Sequence, residues 1–199
     1  MPISPRDFEA LVLAARTCRR FVEDEPLSMA DLDWLVDCAR LTPSARNAQV
    51  LRFILVTRGE VCDELFKLTR WAGALKEGGA PKPGERPTGF IAILAPTEGA
   101  KLAPYDAGIA SETIQLAATT QGWGCCIIYS VDRAGAAALL KAPAGMEVSL
   151  VLGLGVAKEE RVIAEMPADG SFNYWRDARG VHHVPKRSLS ELVIGRFGA

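Results

Sequence analysis

The sequence is poor in the features that mark most enzyme and binding classes. Its 199 residues carry a formal net charge of −1, so no global field draws in nucleic acid or a membrane surface, and any bound anion needs a local basic cluster. No apolar run approaches the roughly 18 residues that a bilayer span requires. The only two histidines, His182 and His183, are adjacent. In an extended segment they point to opposite faces, so they would not share a metal, and each reads as an ordinary packing or surface residue. Five cysteines (Cys18, Cys38, Cys62, Cys125, Cys126) form no C-x-x-C pair, and the opening MPISPRDFEA has no basic stretch leading into an apolar core. The expectation is a cytoplasmic protein with reduced thiols, in which Cys125 and Cys126 are small buried hydrophobes.

Catalytic signatures are missing as well. There is no G-x-S-x-G and no H-E-x-x-H. GLGVAK at 153–158 has Lys158 where a dinucleotide fingerprint needs its third glycine, and GAPKPGE at 79–85 has Glu85 where a P-loop needs lysine.

What is present is an ordinary globular composition, 49% hydrophobic and 24% charged, in a length that suits one domain over 1–199. Ser4-Pro5-Arg6-Asp7 predicts a capped helix start, with Phe8, Leu11, Val12 and Ala15 as a one-sided stripe. Ser28 with Asp31, ahead of Leu32, Leu35, Val36 and Ala39, repeats the pattern, as does Ser188 with Glu191. Short apolar runs predict strands over Leu51–Thr57, Phe90–Ala95, Cys125–Tyr129 and Val148–Val156. Helices fit about 60–76, 103–121 and 133–141. The glycine- and proline-rich segment KEGGAPKPGERPT at 76–88 forms no regular element and reads either as a solvated connection or as a mobile flap beside a ligand. Helices and strands interleave, giving a mixed α/β architecture.

The polar residues gather in three places. ARTCRRF at 15–21 brings three guanidiniums and a hydroxyl together after the first helix, and Lys186-Arg187 precedes the last one. In a chain of almost no net charge, two such clusters suggest one anion between them, and phosphate suits the forked donors of arginine. LTPSARNAQVLRF at 41–53 places Ser44, Asn47 and Gln49 between two apolar elements. Their hydroxyl and carboxamide groups both donate and accept, which suits a polyhydroxyl chain or the uracil-like edge of a flavin.

In this order the motifs resemble the nitroreductase family of FMN-dependent oxidoreductases. Its R-S-x-R-x-F segment is matched by Arg16-Thr17-Cys18-Arg19-Arg20-Phe21, with threonine for serine. Its P-S-x-x-N-x-Q-P-W is matched by Pro43, Ser44, Asn47 and Gln49, with Val50-Leu51 replacing Pro-Trp. Asp106-Ala107-Gly108, Gly122-Trp123-Gly124 before Cys125-Cys126-Ile127, and the tail VPKRSLSELV at 184–193 continue the likeness. Gly155-Val156-Ala157 stands where the family has G-Y-P.

The resemblance implies an α+β fold, with a central mixed or antiparallel sheet flanked by helices, in an intertwined homodimer with FMN at the interface. It implies that Arg16, Thr17 and Arg19 contact the phosphate, ribityl chain or ring edge, with Arg19 the candidate stabiliser of flavin N1 and O2. Lys186 and Arg187 would add phosphate charge. Pro43, Ser44, Asn47 and Gln49 would approach from the other subunit, and backbone at Cys125, Cys126 and Gly155 would line the ring. The implied activity is ping-pong electron transfer from NADH or NADPH through FMN to a nitroaromatic, quinone or similar acceptor, with no catalytic side chain of its own. Relatives that dehalogenate aromatics or cleave the flavin, and flavin-storing or sensing proteins, are the alternatives.

Overall fold

The computed structural model describes residues 3–73, 75 and 79–198. The element order is α1 (Pro5–Ala14), α2 (Met29–Arg40), a single 3₁₀ turn (Ala45–Asn47), β1 (Arg52–Thr57), α3 (Glu60–Leu68), β2 (Gly89–Pro96), α4 (Ala103–Thr120), β3 (Trp123–Ile128), α5 (Arg133–Leu139), β4 (Met146–Val156), β5 (Arg161–Glu165), β6 (Trp175–Arg176), β7 (His182–Lys186) and α6 (Leu189–Leu192).

The helix starts follow from their caps. Ser4 accepts a hydrogen bond from the Asp7 N–H through its hydroxyl, and Ser28 and Asp31 form a full capping box, as do Ser188 and Glu191. α6 is nonetheless only one exposed turn, because a cap removes orphan donors but supplies no apolar face to bury.

Four strands form an antiparallel sheet in the order β1-β2-β4-β3. Side-chain alternation divides the core into two layers. Ile91, Ile93, Cys125, Leu152 and Leu154 face α2 and α4, packing on Leu32, Leu35, Ala110 and Ile114. Phe90, Ala92, Leu94, Cys126 and Val151 face α3 and α5, packing on Leu65 and Ala136. β2 is therefore covered on both sides and reads as a continuous apolar run. A register shift at Ile93/Leu94 against β4 explains how Val148 and Val151, three residues apart, share one layer.

Cross-strand partners Gly124 and Gly155 sit where segment 18–21 crosses this sheet. A Cβ on Gly124 would lie 2.5 Å from Cys18 Sγ, and one on Gly155 would lie 3.1 Å from the Phe21 Cβ. Cys18 has little freedom to retreat, since its N–H donates to the Cys125 carbonyl at 2.9 Å. Gly124→Ala is expected to destabilise the protein by about 2 kcal/mol through overpacking, seen as a lower urea midpoint at constant m-value. An unchanged midpoint would contradict the close approach.

Two sequence expectations change. The helix expected to reach residue 76 ends at Leu68: Thr69 turns extended and bridges Val131, while the Arg70 N–H donates to the Ser130 carbonyl. Residues 157–187 hold a second sheet, β5-β7-β6, that the sequence reading had not predicted. Residues 76–78 of the expected flap lie outside the described residues. The described remainder is tied down: Glu23 accepts from the Gly84 and Arg86 N–H groups, and Glu85 lies 3.5 Å from the Arg20 guanidinium.

α1 buries none of its residues within the chain, and only Ala15 of the expected stripe is buried; Phe8 and Leu13 are about half exposed. At the other terminus Ile194 and Phe197 are fully exposed.

Candidate functional site

After α1 the chain becomes extended and is stitched to the end of the sheet. The Cys18 backbone N–H donates to the Cys125 carbonyl, Phe21 bridges Ala157, and the Lys158 N–H donates to the Arg20 carbonyl at 2.9 Å. This backbone presents Arg16, Thr17 and Arg19 to a cavity of about 440 Å³. Glu112 and Gln115 of α4 and Ile127 of β3 form one wall. Tyr174 together with His182, Val184 and Lys186 of β7 forms the opposite one.

Several buried polar groups at the cavity lack partners, and Glu112 sets one carboxylate in its wall. Arg16 donates from Nη2 to the Val12 carbonyl at 2.6 Å, but its Nε is buried with no partner. The Arg19 guanidinium lies 4.6 Å from the centre of the Tyr174 ring, with Nη1 3.3 Å from His182 Nε2, and its Nε is likewise buried and unpartnered. Gln115 donates to the Ala15 carbonyl at 3.0 Å and leaves its Oε1 buried and unmatched. Behind the cavity, Glu159 accepts from the Arg19 backbone N–H and from the Arg176 guanidinium at 2.8 and 3.2 Å. Burial pushes the neighbouring His182 imidazole down to about 4, so it is neutral at ordinary pH.

The sequence had marked Arg16, Thr17, Arg19 and Lys186, and the structure brings these four together. Arg187 points away, exposed and 3.3 Å from Glu191. Cys125 and Cys126 belong to opposite core layers, and Phe21 covers Gly155, so within one chain none of the three lines the cavity; Ile127 does. Burial pushes the Cys126 thiol up to about 12 and that of Cys125 upward too, so neither is a ready nucleophile. Glu112, Gln115, Tyr174 and His182 were missed, because nothing local in the sequence ties them to residues 16–19.

Pro43, Ser44 and Gln49 line a separate pocket of about 270 Å³ with Val50, Leu51 and Phe53. Asn47 sits on the turn beside it, where Arg46, Asn47 and Gln49 all have positive φ. Asp106, buried on α4, holds this turn by accepting from the Ala45 N–H at 2.9 Å. Three such residues in four positions is a local strain that the surrounding bonds sustain. The two polar groups thus occupy different pockets of one chain.

A family model described as the nitroreductase family matches residues 12–156. The chain belongs to the nitroreductase family. That is a family of oxidoreductases, and its α+β fold is the one described above. Among solved structures, a protein from Desulfovibrio desulfuricans described as a nitroreductase in complex with FMN shares 20% identity at a TM-score of 0.67, over 100% of both chains. An FMN-dependent nitroreductase from Clostridium difficile is 26% identical at a TM-score of 0.60, over 73% of this chain and 84% of that one. A protein from Parabacteroides distasonis, described as an NADH dehydrogenase/NAD(P)H nitroreductase, shares 18% identity at 0.66, over 98% and 100% of the chains. The curated proteins contain no match. The nitroreductase family match stops at residue 156, so Tyr174, His182 and Lys186, which close the cavity, lie beyond it. Among the described residues, no helix is long and apolar enough to cross a membrane, and no cluster of His, Cys, Asp and Glu is placed to hold a metal ion.

Proposed function

We infer that this nitroreductase-family chain, as one domain, binds FMN noncovalently between two copies of itself. It passes electrons from NADH or NADPH to a nitroaromatic, quinone or similar small acceptor in a ping-pong cycle. The observation that carries this reading is the convergence of Arg16, Thr17, Arg19 and Lys186, up to 170 positions apart, on one cavity whose buried Arg16 and Arg19 Nε groups have no acceptor. An unmatched buried donor costs about 1–3 kcal/mol, so a site that keeps two of them is built to receive an anionic ligand. FMN fits the donor set, and the FMN named for the D. desulfuricans and C. difficile structures supports that choice.

Arg16 and Lys186 would hold the phosphate dianion, whose oxygens accept what the guanidinium cannot place within the protein. The Thr17 hydroxyl and the free Gln115 Oε1 would meet the ribityl hydroxyls. Arg19 would set a positive charge beside the ring edge that becomes electron-rich on reduction. The bound flavin itself supplies the two-electron chemistry, and the protein's contribution is binding, orientation and electrostatics. The turn carrying Pro43, Ser44, Asn47 and Gln49 would reach the cofactor from the second copy. Support for pairing comes from α1, whose apolar residues are at most partly buried within one chain, and from the exposed Ile194 and Phe197.

The test is an absorbance spectrum and a gel-filtration run of the purified protein after incubation with excess FMN, followed by NADH titration under nitrogen. A yellow dimer bleached by NADH and recoloured by an added quinone is expected. A colourless protein defeats the cofactor assignment, and a yellow monomer defeats the shared site.

A further inference from the structure

His182 is the most completely buried titratable group at the cavity wall, at 0% exposure, and the FMN reading gives it no task. It sits at the start of β7, on the face opposite His183, as strand alternation requires. Its Nε2 lies 3.3 Å from Arg19 Nη1, and its ring lies 5.1 Å from that of Tyr174, which also carries the Arg19 guanidinium on its face. Arginine can only donate, so His182 Nε2 accepts and must be without a proton. The proton therefore rests on Nδ1, which is buried with no acceptor.

That arrangement is unfavourable for the histidine and advantageous for Arg19. A carboxylate in the same place would fix the guanidinium equally well but would cancel its charge. The buried carboxylate at hand, Glu159, is already bound through Oε2 to Arg176, and it touches Arg19 only at the backbone N–H. The groups acting on the imidazole are Glu159 from the β4–β5 connection, Arg19 from segment 15–21, Arg176 from β6 and Arg161 from β5. Burial above all, with Arg19, Arg176 and Arg161 acting against the single anion Glu159, opposes a charge on His182, and its affinity for protons is lowered accordingly.

We propose that His182 is a positioning residue that holds the Arg19 side chain as a neutral acceptor, fixing its direction while leaving its full positive charge to the ligand in the cavity. The proposal rests on the FMN reading for the identity of that ligand. The contact between His182 and Arg19 exists independently of it. Tyr174 completes the device, since its ring face attracts the cation without neutralising it.

Two measurements test it. In the first, FMN affinity is titrated for the wild type, His182→Gln and His182→Phe. Glutamine keeps a neutral oxygen acceptor at similar reach, whereas phenylalanine keeps the ring and loses the acceptor. His182→Gln is expected to bind within about threefold of wild type and His182→Phe about tenfold more weakly. Equal binding by the wild type and His182→Phe overturns the proposal. In the second, the nitrogen-15 spectrum of the wild-type protein without FMN reads the imidazole directly. His182 is expected to carry its proton on Nδ1 and to stay neutral as the pH falls from 8 to 5. A proton on Nε2, or a charged ring above pH 6, overturns the proposal whether or not any variant folds. Failure of the wild type to bind FMN would instead strike the functional reading and leave the spectrum to decide the role of His182.

Discussion

Replacing Arg16 and Arg19 together with alanine is expected to weaken FMN binding on the order of a thousandfold while leaving a folded chain. Each guanidinium supplies a charge-assisted contact worth about 2 kcal/mol, and the two together approach three factors of ten. The fold should survive because neither side chain carries the architecture. Arg16 gives the protein one bond, from Nη2 to the Val12 carbonyl, and the Arg19 anchor to Glu159 is made by its backbone N–H, which alanine retains. The double variant also removes two buried Nε groups that lack acceptors, which relieves part of the loss. Flavin fluorescence titration gives the affinity, and thermal unfolding without cofactor reports the fold. Binding within threefold of wild type would refute the role of this cluster. Loss of the cooperative transition would show instead that the side chains belong to the core.

Local chemistry made some of the protein readable from its sequence and hid the rest. The caps at Ser4, Ser28 and Ser188 rest on contacts three residues apart, and the apolar runs of β1 to β4 announce strands buried on one or both faces. The second sheet gave no such signal: β6 is two residues long, β7 contains Pro185, and β5 begins at a half-buried arginine. Its contacts are remote in sequence: Glu159 pairs with Arg176, and the Arg19 guanidinium meets His182 across 163 positions. For the same reason Arg16, Thr17, Arg19 and Lys186 were legible as basic clusters, whereas Gln115, which reaches Ala15 across 100 positions, was not. The stripe on α1 was read correctly as apolar, yet its burial cannot be completed within one chain. The motif at 43–49 was legible, but its strained backbone, with positive φ at Arg46, Asn47 and Gln49, was not, since no glycine marks it.

The second large effect is expected at Glu159, where Glu159→Gln should cost about 3–5 kcal/mol of stability. The Glu159 side chain is 1% exposed and that of Arg176 11%, so water compensates neither charge. Glutamine is the same size and retains one oxygen, which the Arg19 N–H would claim. Its amide group then faces the Arg176 guanidinium, donor against donor. Arg19, Arg161 and Arg176 would lose the buried carboxylate that lies among them, and two nitrogens of Arg161 are already buried without partners. Against a typical total of about 5–15 kcal/mol, that is a large fraction, visible as a markedly lower urea midpoint. An exposed pair provides the control: Arg40 and Asp37 are 63% and 54% exposed, so Asp37→Asn should change stability by no more than about 1 kcal/mol. If Glu159→Gln behaves like Asp37→Asn, the buried pair does not fasten the second sheet to the first. The backbone bonds of segment 15–21 to Cys125 and Lys158 would then be what keeps Arg19 facing the cavity.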